Sequence, residues 1–301
     1  MAQSIDAYIR EIWAPSVQEK LFQKLVGKSI CDFIVMPDGD TIHKPYHSDL
    51  ATGTYSRNPS SNGVKETDIT TVDEFLTVGT SKYASFFIDK LDNIQMFYKS
   101  LQGDLKKEAA YRLAKDIDTA VFGEWANAGL KVDGGDVGGT AGQAIALALT
   151  GTNGHILDVI EAAKAKLAGN DVDVEEEVFL VVDSLNAYKK LERFFLEHGF
   201  VVQDKALMNG YIKTIAGVDI YISNNLATST VGSGTARHWL AGKKGAISLA
   251  IQNDTDVDII ENPSLTDGTH KLGKKYVVSN LFGKKTFNWN AKKLVDIQIL
   301  V

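Results

Sequence analysis

The chain has 301 residues, of which 44% are hydrophobic and 23% charged, with a formal net charge of −6. That length holds about two domains or one large one, and the apolar content is that of a packed globular protein, which argues against large-scale disorder. The negative balance repels phosphate backbones and disfavours sequence-specific nucleic-acid recognition. The single cysteine, Cys31, excludes an intramolecular disulfide and suits a reducing cytoplasm. No stretch approaches the roughly 18 apolar residues of a membrane span, and Asp6 and Arg10 fall where a signal peptide needs its apolar region. The expectation is a soluble chain without a cleaved export signal.

Residues Ser4–Val26 place Ile5, Tyr8, Ile9, Ile12 and Trp13, then Val17, Leu21, Phe22 and Leu25, at helical spacing, with a break at Ala14-Pro15. Ser16 and Glu19 form a capping box for the second piece, and Gly27 is expected to end this apolar arm. Ser29–Met36, with Cys31 as a small core residue, reads as an apolar strand. From Asp38 to Thr80 the composition turns polar: a turn at Pro37–Asp40, weak alternation over Thr41–Tyr46, a Ser/Thr/Asn/Gly/Pro-rich stretch at Ser48–Gly63, and a hairpin signal at Asn62-Gly63. Val64–Val78 then reads as one long strand. A two-stranded excursion with so little apolar face needs a neighbour to order it.

Lys90–Trp125 contains no proline and places Leu91, Ile94, Tyr98, Leu101, Leu105, Ala109, Leu113, Ile117, Val121 and Trp125 on one face. Read as a single helix, its 36 residues at about 1.5 Å each make a rod of roughly 54 Å. Gly129–Gly142, with six glycines, reads as a flexible loop. An α/β block follows: helix His155–Ala168, buried strand Val178–Val182, helix Ser184–Glu197, strands Phe200–Gln203, Tyr211–Ile215 and Val218–Ser223, and apolar runs Ala236–Leu240, Ala246–Gln252 and Val257–Ile260. Lys275–Leu281, Thr286–Asn290 and Leu294–Val301 read as three closing strands.

No constellation calls for catalysis, a metal or a cofactor. Gly268–Lys275 has the glycine spacing and lysine of a P-loop, yet Lys275 replaces the metal-binding hydroxyl and a strand follows instead of a helix. His43 and His47 flank Pro45 in an extended segment, which separates them by about 13 Å. Asp171-x-Asp173-x-Glu175 and Asp254-x-Asp256-x-Asp258 lack the later glycine and glutamate of a calcium loop and read as solvated acidic turns. There is no G-x-S-x-G. Lys271–Val301 carries seven lysines against one acid, while Asp171–Glu177 and Asp254–Glu261 are acidic, and opposite-sign patches of this kind suit self-association.

The order of elements carries the strongest signal: apolar arm, polar hairpin, long helix, glycine-rich loop, α/β block, closing strands. With Ala84–Asp92 leading into Asp104-Leu105 and Ala114–Asp118, Phe179–Asp183 followed by Leu185–Phe195, and Gly217–Asn225, this order resembles the major capsid proteins of tailed bacteriophages with the Hong Kong 97-type fold, from about Ser4 to Val301.

The resemblance implies an α+β capsid fold: N-arm and first strand at 1–36, E-loop at 37–82, peripheral domain at 83–154 with its spine helix at 90–125, axial domain at 155–262, and returning peripheral strands at 263–301. It implies hexamers and pentamers closing an icosahedral shell around double-stranded DNA, assembled in the bacterial cytoplasm with a separate scaffolding protein and a portal, and without a membrane. Its implied assembly contacts are Trp13, Phe22, Tyr55, Arg57, Lys65, Glu66, Asp254, Asp256, Lys284 and Lys285. Lys65 stands where some members form an isopeptide crosslink, but no partner motif accompanies it. Gly103 is expected to be a bending point of the spine. Two other readings are an encapsulin-like compartment holding a protein cargo and a soluble α/β enzyme using Asp183, His198 and Asp204.

Overall fold

The computed structural model describes residues 25–55, 57, 64, 66–95, 101–148, 154–175, 177–186, 189–190, 214–215, 217–232, 234–265 and 269–301. The expectations for residues 4–24, Asn62-Gly63, Tyr98, the end of the 184–197 helix, Phe200–Gln203 and the start of Tyr211–Ile215 lie outside the described residues.

In chain order the elements are α1 (Gly27–Ile30), β1 (Asp32–Val35), β2 (Thr41–His43), β3 (Tyr46–His47), β4 (Thr71–Val72), β5 (Phe75–Thr77) and β6 (Thr80–Asp89). Then come α2 (Lys90–Gln95), α3 (Leu101–Phe122), β7 (Leu130–Val132), α4 (Ile156–Ala168), β8 (Val178–Val182), α5 (Ser184–Asn186), β9 (Thr214–Ile215) and β10 (Val218–Ile222). The chain closes with β11 (Thr228–Val231), β12 (Gly234–Lys243), β13 (Ser248–Glu261), β14 (Gly273–Lys285), α6 (Asn288–Ala291) and β15 (Leu294–Leu300).

The chain forms two compact units. Among the described residues, one is formed within Tyr83–Leu113 and Thr255–Ser279, the other within Leu25–Lys82, Ala114–Asp254 and Asn280–Val301. The larger unit is built on a sheet in the order β7-β15-β12-β8-β10-β9, with β11 paired to β12. β8 is buried along its whole length, as a continuous run of valine, phenylalanine and leucine requires, and it pairs in parallel with β10 and antiparallel with β12. α4 lays Ile156, Val159, Ile160, Ala163 and Leu167 into this core, a helical stripe with His155 accepting from Leu157 N at its start rather than lying inside the helix. β15 is buried from Leu294 to Ile299 and pairs antiparallel with β12 and in parallel with β7.

One carboxylate organises the packing of this unit. Asp118, on α3, is 2% exposed; it accepts from Val26 N at 2.9 Å, from Gly27 N, from Asn225 Nδ2 at 2.8 Å and from Ser223 Oγ at 3.5 Å. It caps α1 in the manner of an N-cap side chain supplied from elsewhere in the chain. This explains a correction. Gly27 does not end an arm but opens a helical turn, and the strand expected over Ser29–Met36 is confined to Asp32–Val35. A Cβ on residue 27 would stand 2.9 Å from Asp118 Oδ1, so the carboxylate needs the glycine. Cys31 is partly buried against the same core, and burial pushes its thiol well above its ordinary pKa.

The long helix differs from its sequence reading in two ways. α-helical geometry stops at Phe122 and tightens to a 3₁₀ turn over Gly123–Asn127, so Trp125 lies outside the helix. The tighter turn brings Glu124 to Lys284 Nζ (2.7 Å), Thr286 N (3.1 Å) and Thr286 Oγ1 (3.0 Å). Ala109, Leu113, Ile117 and Val121 are buried as the stripe predicts, whereas Leu91 and Ile94 are 66% and 65% exposed. In the smaller unit, Ala109 and Leu113 pack with Val278 and Ala84.

Four further expectations change. Gly129–Gly142 is ordered: β7 is followed by a 3₁₀ turn capped by Asp133, whose Oδ1 accepts from Gly135 N (2.8 Å) and Oδ2 from Gly142 N (2.9 Å). Thr286–Asn290 is no strand, because Thr286 turns inward to Glu124 and the chain coils into α6. Asp254–Asp258 is not an acidic turn but the interior of the 14-residue β13. The long strand expected at Val64–Val78 is reduced to β4 and β5, interrupted where Glu74 turns inward and its carbonyl accepts from Lys44 N at 2.7 Å.

Replacing Asp118 with alanine leaves buried N–H donors at Val26, Gly27 and Asn225 unpaired and is expected to cost about 3 kcal/mol or more in urea unfolding of the subunit, while alanine at exposed Asp116 stays within about 0.5 kcal/mol. Glu124 gives a pH-dependent test. Burial alone would raise its carboxyl, but hydrogen bonds from Lys284, Asn127 and Thr286 and the Lys284 charge outweigh burial and hold it below its ordinary 4.5. A depressed folded-state pKa stabilises above the unfolded value and is lost on acidification. The stability gap between wild type and Glu124→Gln is therefore full at neutral pH and closes as pH falls below 4.5, read from urea midpoints across a pH series.

Candidate assembly surfaces

The polar excursion is a hairpin fixed at its base in the larger unit. β2 pairs antiparallel with β5 (Thr41↔Thr77, His43↔Phe75) and β3 with β4 (Tyr46↔Val72, His47↔Thr71). Leu76 and Val78 enter a small core with Met36, Ala250 and Phe287. Polar groups lock the same place. Glu74, 7% exposed, accepts from Asn288 N at 3.0 Å, Lys285 Nζ donates to Phe75 O at 2.8 Å, and Val78 N donates to Asp40 O at 2.7 Å. Lys285 also lies over the Phe75 and Phe287 rings, at 5.5 and 5.3 Å. Gly283 is required here, because a Cβ would stand 2.4 Å from Thr77 O. The two histidines expected on a surface strand fall in β2 and β3, both exposed, with His43 Nδ1 2.7 Å from Asp73.

Beyond the base the hairpin presents apolar side chains to solvent: Leu50 is 63% exposed, Tyr55 67%, Val64 82% and Ile69 62%. Of the candidate contacts, Tyr55, Arg57 and Glu66 are exposed on this segment. Asp256 is exposed on β13, and Asp254 belongs to the same strand. Lys284 is turned inward to Glu124, and Lys285 braces the hairpin base. Trp13, Phe22 and Lys65 lie outside the described residues. The aromatic pair Tyr46 and Trp289 has no counterpart in the sequence reading, in which Thr286–Asn290 is a strand. The rings of Tyr46 and Trp289 lie 6.3 Å apart, and Trp289 is 45% exposed.

Of the residues named for an enzyme, Asp183 alone is among the described residues. Asp183 is 1% exposed and accepts from Trp239 Nε1 (2.7 Å) and Asn186 Nδ2 (2.9 Å), a structural role; His198 and Asp204 lie outside the described residues. Another trio has the spacing of a nucleophilic relay: Ser229 Oγ is 2.7 Å from His238 Nε2, and His238 Nδ1 is 2.7 Å from Asp296. His238, however, is 1% exposed, and the Trp125 ring is stacked on it at 3.5 Å. The imidazole is thus covered, and its two contacts satisfy its buried ring nitrogens. In the smaller unit, a cleft of about 370 Å³ is lined by Asp89, Lys90, Gln102, Glu261, Lys274 and Tyr276 among others. Two of these charges, Lys274 and Glu261, are paired at 2.7 Å.

Comparison with known proteins gives a concordant picture. No curated protein sequence matches the chain. Among solved structures, one of Mycobacterium phage Che8 is similar at a TM-score of 0.69 and 16% identity, covering 98% of each chain. The capsid structure of the cyanophage P-SCSP1u is similar at 0.70 and 17%, covering 99% of this chain and 95% of that one. The asymmetric unit of the bacteriophage PhiM1 mature capsid is similar at 0.63 and 12%, covering 97% and 92%. At such identities these likenesses establish the fold, a mixed α+β fold with a long helix and several sheets. A family model described as phage capsid protein matches residues 52–297, most of the chain, from ahead of β4 into β15. The chain belongs to the phage capsid protein family, a structural component of the virion shell and not an enzyme.

Proposed function

We propose that the chain is the major capsid subunit of a tailed phage with the Hong Kong 97-type arrangement, closing as hexamers and pentamers into an icosahedral shell that encloses double-stranded DNA without reading it. In this reading residues 37–82 are the E-loop, laid over the next subunit; residues 1–36 are the N-arm and first peripheral strand; residues 90–125, which include α3, are the spine; and residues 155–262 are the axial domain that meets its copies around the capsomer axis. A separate scaffolding protein and a portal complete the assembly. The observation that carries the reading is the hairpin. Its base is held by Glu74, Lys285 and Gly283, while Leu50, Tyr55, Val64 and Ile69 beyond it are exposed. A lone two-stranded ribbon with apolar side chains in water is marginal, and a neighbour's surface supplies what its own chain does not. Each interface need contribute only a few kcal/mol, because many act together in a closed shell.

Deletion of Ser48–Gly63 tests this. The variant subunit is expected to fold, with an unchanged circular dichroism spectrum, and to form no shells by electron microscopy, whereas wild type forms shells or capsomer-like rings; intact shells from the deletion variant would remove the E-loop role. Small uniform shells with protein cargo and no DNA would point to a compartment instead of a virion. The spine offers a second test. A Cβ at Gly103 meets nothing within 4 Å, so Gly103→Ala strengthens the helix by about 1 kcal/mol and is expected to slow expansion of the shell in a time-resolved scattering assay. Unchanged expansion would mean that the spine does not bend there.

A further inference from the structure

Two exposed surfaces of the described residues are chemically complementary, and Asp256 and Asp258 on one and Lys292 on the other have no ion-pair partner among the described residues. The first is the distal part of β13, where every described side chain from Thr255 to Glu261 is exposed. Strand alternation puts Asp256, Asp258 and Ile260 on one face, with about 7 Å between successive side chains. Ile260 is 45% exposed, and Asp256 accepts only from the adjacent Val257 N among the described residues. Among the described residues this face therefore offers two carboxylates without an ion pair and an aliphatic side chain in a row.

The second surface is built on α6. The Lys292 ammonium lies 4.7 Å from the centre of the exposed Trp289 ring, and Tyr46 flanks the indole. Lys292 has no acidic partner among the described residues. The acids of β1 and of the turn between β4 and β5 are committed: Asp32 to Lys44 at 2.7 Å, Asp73 to His43 at 2.7 Å, and Glu74 to Asn288 N. A half-exposed tryptophan beside an uncompensated cation is the composition of an interface centre: the ring gains most from desolvation, and the cation selects the sign of the partner.

We propose that the Asp256–Asp258–Ile260 face of one subunit docks on the Trp289–Tyr46–Lys292 surface of a second copy, with Ile260 against the indole and Asp258 paired with Lys292. The proposal rests on the shell-forming reading above and gives it a specific contact. Charge favours this head-to-tail pairing over pairing of like with like, since two acidic faces or two lysine faces repel. A head-to-tail contact is also the kind that closes rings.

The test is a charge swap in the full-length protein, with the assembled fraction read by sedimentation and electron microscopy at matched concentration. Asp258→Lys and Lys292→Asp are each expected to reduce the assembled fraction at least tenfold, and the two together to restore it to within about twofold of wild type. Melting of the unassembled subunits by circular dichroism separates loss of contact from loss of fold. Independently, Ile260→Cys with Trp289→Cys in a Cys31→Ser background should give disulfide-linked multimers on oxidation. Single reversals that assemble like wild type, or a double reversal no better than the singles, overturn the pairing while leaving the shell reading intact. Binding of a short DNA duplex that is lost in Lys292→Asp with assembly unchanged overturns it in favour of a phosphate-binding surface. A wild-type protein that stays monomeric overturns both readings.

Discussion

The Asp118 carboxylate is the constraint on which the larger unit depends. A buried charge is tolerated only when its lone pairs are used, and this one accepts from two backbone amides at the start of α1, from an amide side chain and from a hydroxyl beyond β10. It therefore fixes three stretches of chain far apart in sequence: the entry at Val26-Gly27, the long helix, and the turn at Ser223–Asn225. Apolar contacts alone could shift by a residue at modest cost. A carboxylate with several directional donors cannot, because a shifted register leaves each donor buried and unpaired.

The same logic recurs at other buried carboxylates. Glu124 ties the end of the long helix to Lys284 and Thr286, so the last turn of that helix and the exit from β14 are set together. Asp183, just past β8, holds the indole N–H of Trp239 on β12. Asp296, in the middle of β15, is matched by His238 on the neighbouring strand and by Gln298 two residues on. Where segments distant in sequence must meet, the fold has one polar side chain with several partners.

This arrangement explains how much could be read from the sequence. α4, β8 and β10 follow from periodicity and from runs of valine, isoleucine and leucine, with bounds within a residue of expectation, whereas of the stripe expected over Lys90–Trp125 Ala109, Leu113, Ile117 and Val121 are buried and Leu91 and Ile94 are exposed. What was not legible depended on distant partners. Nothing local to Gly27 announces a helical turn, since its cap comes from a residue 91 positions on. Gly129–Gly142 looked slack because its glycines were counted without Asp133, whose two carboxylate oxygens gather the turn. Thr286–Asn290 has strand composition, yet Glu124 draws Thr286 inward. The candidate surface was legible in part. Polar composition and the absence of a continuous apolar face located the hairpin, but its anchors Glu74, Lys285 and Gly283 come from segments about 210 residues apart, and the exposed Trp289 was hidden by the wrong element.

The hairpin also shows why a shell subunit would separate its strong and weak interactions. At its base a desolvated carboxylate, a lysine over two aromatic rings and a small apolar core hold Leu76 and Val78, whose exposures are 1% and 5%. Further out, Leu50, Tyr55, Val64 and Ile69 remain in water. Fully burying one such side chain is worth about 1.5–3 kcal/mol, and the ordering entropy of the ribbon cancels part of that. The net gain per contact is small. Small gains suit assembly, because a misplaced subunit held by one weak contact can leave, while a correct one is held by several at once. A stronger outer hairpin would trap errors. A weaker base would lose the direction in which the outer residues are presented, and with it the geometry that lets many weak contacts form together.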